Sequence, residues 1–266
     1  MKSFFKKLTI TLLVVALCVV SLLYFMQEKL IFLPTQLPQD YQYEFTQPFE
    51  EFSLATEDGA LLNAIHFKSK SPKGVILYFH GNAGDLSRWG VITQYFTQYN
   101  YDVVVMDYRT YGKSTGELSE TLLYNDANLF YEHVNKQFPE DQIIVYGRSL
   151  GTTFASYVAS KHQPSQLILE TPFYNLTQIA QKRFPILPVK KLLKYKFPTH
   201  SFVKTIQSPT TIFHGTDDSV VPYASGKKLY ELFKPDQGQL ITIENGTHNN
   251  LIDFEAYRAN IAKLLK

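Results

Sequence analysis

Hydrophobic and polar positions along the chain fall into two regimes. From Leu8 to Met26 there is no charged residue, and the apolar side chains run all round the segment rather than along one face, unlike a helix that packs on a globular core. As a helix the segment is about 28 Å long, close to the ~30 Å hydrocarbon core of a bilayer. Beyond Pro34, short apolar runs alternate with stretches of helical period. Phe52–Thr56 and Leu61–Phe67 predict paired strands around the turn Glu57-Asp58-Gly59. Gly74–Phe79, Asp102–Met106, Gln142–Tyr146, Leu167–Leu169, Thr210–Phe213 and Leu240–Ile243 predict further strands, most of them apolar enough to be buried on both faces. Leu86–Tyr99, Glu120–Phe138 and Phe254–Leu265 predict helices. This alternation implies an α/β fold with a mostly parallel sheet and helices on both faces. Functional residues in such sheets gather at the carboxyl ends of the strands.

The N-terminal segment is a separate element. Lys2, Lys6 and Lys7 precede it, and only Glu28 and Lys29 follow closely. The positive-inside rule then leaves the N-terminus in the cytosol and the rest of the chain across the membrane, in the periplasm if the source is bacterial. A cleaved signal peptide would have a shorter apolar region and a small-x-small site after it, and Tyr24–Phe32 offers none. Cys18 follows Leu17, which disfavours a lipoprotein site, so the segment reads as an uncleaved signal-anchor. The expected division is 1–34 for the cytosolic tip and anchor and 35–266 for the catalytic domain. With Cys18 the only cysteine, neither an intrachain disulfide nor a cysteine-based metal site is available. A net charge of +2 is too small to argue for nucleic acid, and 45% hydrophobic against 19% charged residues is a globular composition.

Candidate chemistry centres on Gly147-Arg148-Ser149-Leu150-Gly151, which follows the strand-like Ile143–Tyr146 and precedes a helix-like Thr152–Ala159. A serine on a sharp strand-to-helix turn is exposed at the sheet edge, with a helix N-terminus behind it. Its hydroxyl is a weak nucleophile and needs a base, an orienting carboxylate and donors for the oxyanion. His248, in the loop after the last strand, is the candidate base. Its candidate carboxylate follows the penultimate strand, where Asp217 and Asp218 are neighbours; Glu170 is a third candidate one strand earlier. The order Ser149, Asp218, His248 is that of α/β-hydrolases. Oxyanion donors are expected from the backbone N–H of Leu150 and of Asn82, in Phe79-His80-Gly81-Asn82-Ala83-Gly84. His80 and His214 are expected to hold loop backbones through their rings. Neither a cofactor nor a metal is implied.

Between Pro172 and Pro209 the alternation stops, and Pro185, Pro188 and Pro198 cut the chain into short pieces. A lid over the active site is expected there, at about 173–209. From Thr171 to Thr216 there is no Asp or Glu, but there are Lys182, Arg183, Lys190, Lys191, Lys194, Lys196 and Lys204. Interleaved with Phe184, Ile186, Leu187, Leu192, Leu193 and Phe197, these suit either a solvated basic lid or a surface facing anionic lipid.

Taken together, Gln27–Pro34, Phe79–Gly84, Asp107–Gly116, the serine turn and His214-Gly215-Thr216-Asp217-Asp218 resemble a membrane-anchored α/β-hydrolase of the BEM46-like group, related to the α/β-hydrolase-domain 13 and 17 proteins. The resemblance implies the α/β-hydrolase fold, with a mostly parallel eight-stranded-type sheet and a short lid. It also selects Asp218 over Asp217, because in this group the acid stands three residues after the His-Gly glycine. Three positions depart from the pattern: Thr110 stands where Gly is usual, and Thr247 and Asn250 stand where the base loop often has Gly and Asp. Asp107 and Arg109 are expected to pin the loop after their strand. The activity implied is serine hydrolysis of acyl esters or thioesters, on a small-molecule or acylated substrate at a membrane. The alternatives are an aminopeptidase-like peptidase or acyltransferase on the same fold, and a non-catalytic tethered binding protein.

Overall fold

The computed structural model describes residues 1–266, the Ala16 side chain excepted. Helix α1 (Lys2–Ile31) is a single 30-residue rod, longer than the charge-free stretch because its flanking lysines and Glu28 are also helical. It is long and apolar enough to cross a membrane, and its apolar window is exposed. The helix stops where Phe32 turns to extended backbone; Leu33, the residue just before Pro34, is sterically discouraged from helical backbone.

The chain then runs β1 (Leu33–Pro34), β2 (Phe49–Ala55), β3 (Leu61–Phe67), β4 (Val75–Phe79), β5 (Ala83–Gly84), α2 (Leu86–Thr93), β6 (Asp102–Met106), α3 (Glu120–Asn135), β7 (Ile143–Arg148) and α4 (Gly151–Lys161). It continues through β8 (Gln166–Glu170), α5 (Leu176–Arg183), α6 (Val189–Leu192), α7 (Thr199–Val203), β9 (Thr210–Gly215), α8 (Tyr223–Tyr230), β10 (Gly238–Ile243) and α9 (Glu255–Leu264). Eight strands form one sheet in the order β10-β9-β8-β7-β4-β6-β3-β2. Only the β2–β3 and β3–β6 pairings are antiparallel.

The central strands β4, β6 and β7 are buried at every position, as expected of parallel strands covered by helices on both sides. One apolar cluster joins the face under α3, α4 and the 173–209 segment; a second lies under α2 and α9. Phe32, the first residue after α1, is 2% exposed and belongs to the first cluster. A two-stranded parallel pairing of β1 with β5 follows at once. No flexible linker therefore separates the apolar helix from the domain.

Two predicted helices are shorter than the sequence pattern suggests. The α2 segment passes into a 3-10 turn at Gln94–Tyr99, after the β-branched run Val91-Ile92-Thr93, which lowers α-helical preference. The α3 segment ends at Asn135, before Phe138, whose following Pro139 disfavours helical backbone.

Candidate active site

Ser149 sits between the end of β7 and the start of α4 with φ +50°, in the left-handed region. Its N–H donates to the Glu170 carbonyl at 2.9 Å, which fixes the turn against β8. The tightness of this elbow explains its glycines. A Cβ on Gly151 would lie 1.9 Å from the Phe79 carbonyl oxygen, and one on Gly147 would lie 2.6 Å from the Gly151 carbonyl oxygen. Strand, turn and helix approach this closely only without side chains at those positions.

Three side chains far apart in sequence meet at the elbow. His248 Nε2 is 2.9 Å from Ser149 Oγ, and His248 Nδ1 is 2.7 Å from Asp218 Oδ2. Asp218 follows β9, and His248 lies in the loop after β10, so the parallel sheet brings both to the carboxyl edge that also carries the serine turn after β7. Asp218 is buried, and the Val220 and Val221 N–H groups donate to its Oδ1 at 2.9 and 2.8 Å. Burial pushes this carboxyl up. The hydrogen bonds from His214 and His248, with the charge of His248 and the Val221 N–H, outweigh that and hold it well below the usual carboxylate range. In the neutral form of His248, an ionised Asp218 favours the tautomer with the proton on Nδ1, which leaves Nε2 to accept from the serine hydroxyl.

The other carboxylate candidates stand elsewhere. Asp217 is exposed and accepts from the Thr216 hydroxyl. Glu170 is engaged by Arg148 Nε at 3.1 Å and by the hydroxyls of Tyr146 and Tyr257 at 2.5 and 3.1 Å. Arg148 also reaches the His248 carbonyl and Asn249 Oδ1, both at 3.4 Å, and lies over the Trp89 ring. Arg148 and Trp89 thus position the serine turn against the histidine loop. Neither was among the candidates, because the middle position of Gly-x-Ser-x-Gly is unspecified and a lone tryptophan reads as core.

The loop carrying Asn82 is held from three sides. The His80 ring lies 2.6 Å from the Gly81 carbonyl and 3.3 Å from Asp107 Oδ1. The Tyr108 hydroxyl donates to the His80 carbonyl. The Tyr111 hydroxyl accepts from the Leu33 N–H at 3.2 Å and donates to the Asn82 carbonyl at 2.7 Å. His214 holds the Val221 carbonyl at 2.9 Å, so both loop-holding histidines act through their rings. Arg109 pairs with Asp126 and Asp58, pinning the loop after β6. Among the described residues no group of three His, Cys, Asp or Glu side chains could hold a metal ion.

A cleft of about 860 Å³ opens on Ser149 and His248. Its walls are mostly apolar, from Leu176, Ile179, Phe184 and Leu187 on one side and from the end of α1 on the other. Arg183 lines it, while Lys182, Lys190, Lys191, Lys194 and Lys196 are exposed on the surrounding surface.

A family profile described as "Serine aminopeptidase, S33" matches residues 70–205. The α/β-hydrolase domain-containing protein 17C of Xenopus tropicalis is 30% identical over 236 residues, covering 85% of this chain and 72% of the relative. The chain belongs to the α/β-hydrolase family. A membrane protein of Saccharomyces cerevisiae is 28% identical over 79% of the hydrolase and 77% of that protein. The lysophosphatidylserine lipase ABHD12 of Danio rerio is 34% identical over 62% of the hydrolase and 48% of the lipase. Among solved structures, an esterase of Pyrococcus furiosus superposes with a TM-score of 0.68 at 17% identity, covering 88% of this chain and 97% of the esterase. At that identity the likeness speaks for the fold alone.

Proposed function

We propose that this hydrolase cleaves acyl esters or thioesters through Ser149, His248 and Asp218, acting on lipid-like or acylated substrates at a membrane surface. The observation that carries the reading is the imidazole of His248, set between Ser149 Oγ at 2.9 Å and Asp218 Oδ2 at 2.7 Å. Ser149 Oγ attacks the carbonyl carbon and passes its proton to His248 Nε2. Asp218 orients the ring and stabilises the imidazolium. The Leu150 and Asn82 N–H groups bind the oxyanion, with the N-terminus of α4 adding a favourable dipole. The acyl-enzyme forms as the alcohol or thiol departs, taking the proton from His248 Nε2. Water then attacks by the same route in reverse, and the acid is released.

The apolar cleft supports an acyl substrate, and the lysophosphatidylserine lipase among the relatives agrees with it. An aminopeptidase reading is weaker. A substrate with a free amine calls for a carboxylate in the cleft, and among its described lining residues there is no Asp or Glu, whereas Lys29, Arg88, Arg148 and Arg183 are present.

We assign α1 as the membrane anchor of a catalytic domain spanning 35–266, with the N-terminus cytoplasmic and that domain on the other side. The lysines at 2, 6 and 7 and the membrane protein among the relatives support this. The 173–209 segment is the lid, and Lys182, Arg183, Lys190, Lys191, Lys194 and Lys196 face lipid headgroups.

Turnover of p-nitrophenyl esters tests the chemistry. Ser149→Ala and His248→Ala each lower kcat by about four orders of magnitude or more, and Asp218→Ala by less. Retention of near-normal turnover in Ser149→Ala overturns the mechanism.

A further inference from the structure

The last turns of α1 are built as part of the cleft. Gln27 is 6% exposed, although it lies at the end of a helix whose apolar window is exposed. Its Oε1 accepts the Lys194 N–H at 2.7 Å, and its Nε2 lies 3.4 Å from the Leu192 carbonyl. One residue on, Glu28 Oε1 takes the Tyr195 hydroxyl at 2.8 Å. Lys194 Nζ sits 5.0 Å from the centre of the Tyr24 ring, within cation–π range. Phe32 packs edge-on against Tyr195, with ring centres 5.0 Å apart. A plain tether needs no such complementarity. These contacts dock the helix on the segment that forms the opposite wall of the cleft.

A second link runs to the reacting centre. The β1–β5 pairing and the Leu33–Tyr111–Asn82 hydrogen bonds join the end of α1 to the loop bearing Asn82. Leu23, Tyr24, Leu30 and Ile31 line the same cleft as Ser149 and His248.

Position along the helix fixes where this wall stands. Leu23 and Tyr24 fall in the last turn of the charge-free stretch, which ends at Met26. Ile31 is about 8 Å further along the axis, comparable to the ~5–8 Å thickness of one headgroup layer. On the opposite side, Ile186 is 95% exposed beside the cleft-lining Phe184 and Leu187.

We infer that the end of the anchor helix, Leu23–Ile31, is one wall of the acyl-binding cleft, and that the substrate is a membrane-resident amphiphile whose acyl chain enters from the adjoining leaflet between α1 and the 176–193 segment. Such a substrate keeps its chain in apolar surroundings throughout, because bilayer, helix face and cleft are continuous. The anchor therefore shapes the binding site as well as holding the enzyme at the membrane. This inference rests on the reading of Ser149 as the nucleophile.

The test uses the full chain in phosphatidylcholine vesicles and a fluorophosphonate bearing a C12 alkyl chain with a terminal diazirine. Ser149 Oγ displaces fluoride, which fixes the phosphorus at the serine; irradiation then marks whatever the chain tail touches. The expected result is labelling at Ser149 with cross-links in Leu23–Ile31. Labelling at Ser149 with cross-links confined to residues outside α1 overturns the inference and leaves the nucleophile standing. An absence of labelling overturns the nucleophile reading and this inference with it. As a second readout, Leu23→Trp and Leu30→Trp narrow the cleft from the helix side. Each is expected to lower kcat/KM for a long-chain ester at least about tenfold more than for the acetate ester. Equal effects on both esters, with the cross-links elsewhere, contradict the inference.

Discussion

Thr110 holds a left-handed backbone, φ +72°, and its hydroxyl is buried without a hydrogen-bond partner among the described residues. A β-branched residue in that region is strained by about 1–3 kcal/mol, and glycine is not. The family resemblance drawn from the sequence expects glycine at this position, which would avoid that cost. Allowing for the greater freedom of glycine in the unfolded chain, Thr110→Gly is expected to stabilise the domain by about 1 kcal/mol, seen as a higher urea midpoint. A lower midpoint contradicts the strain. Asp218 shows the opposite device, a charge whose burial is compensated. Because its folded carboxyl is held below the ordinary value, the ionised form is the one the fold stabilises. That stabilisation is complete above the unfolded value near about 3.9 and is lost as pH falls through the lower folded value. Asp218→Asn lacks this contribution at every pH. The stability gap between the two proteins should therefore be widest near neutrality and narrow below about pH 4. A gap that stays constant from neutrality to about pH 3 contradicts the assignment.

At the scale of elements, the junction after α1 carries more than its sequence suggests. Phe32 looks like one more apolar residue at the end of a membrane segment, yet it is buried against Tyr195 and Phe197. Phe32→Ala is expected to cost about 3–5 kcal/mol of domain stability in detergent, whereas Phe25→Ala, at a site 76% exposed, should cost under about 0.5 kcal/mol. Equal effects contradict the docking of this junction. The central strands were legible because burial on both faces leaves continuous apolar runs, as in Val75–Phe79 and Asp102–Met106. The serine elbow was legible because its two glycines and its flanking strand and helix are local. The β1–β5 pairing was not, since two-residue strands have no periodicity. The docking of Gln27 and Glu28 on Lys194 and Tyr195 was hidden as well. Those pairs lie 167 residues apart, and nothing local marks either partner. The pairing of Arg148 with Glu170 was hidden in the same way, because it joins adjacent strands at the edge where the candidate site sits.

Across the whole molecule, charge and apolar surface are segregated in a way that net charge conceals. The chain carries +2 overall, but Thr171–Thr216 holds seven Lys or Arg and no Asp or Glu, and the cleft opening within it is apolar. If that surface meets anionic headgroups, each cation near them adds about 1 kcal/mol. For the full chain in anionic vesicles at low salt, reversing Lys190 and Lys191 to Glu is expected to lower hydrolysis of a vesicle-borne ester about tenfold, with the difference vanishing near 1 M salt. An effect that is equal in zwitterionic vesicles contradicts the lipid-facing assignment. The catalytic expectations depend on Ser149 being an activated nucleophile, and the most direct measurement of that is mass spectrometry of the full chain after treatment with a simple fluorophosphonate. The account predicts one covalent adduct on the peptide carrying Ser149, absent from Ser149→Ala and strongly slowed in His248→Ala. A folded protein that takes up no adduct, or takes it up at another residue, contradicts it.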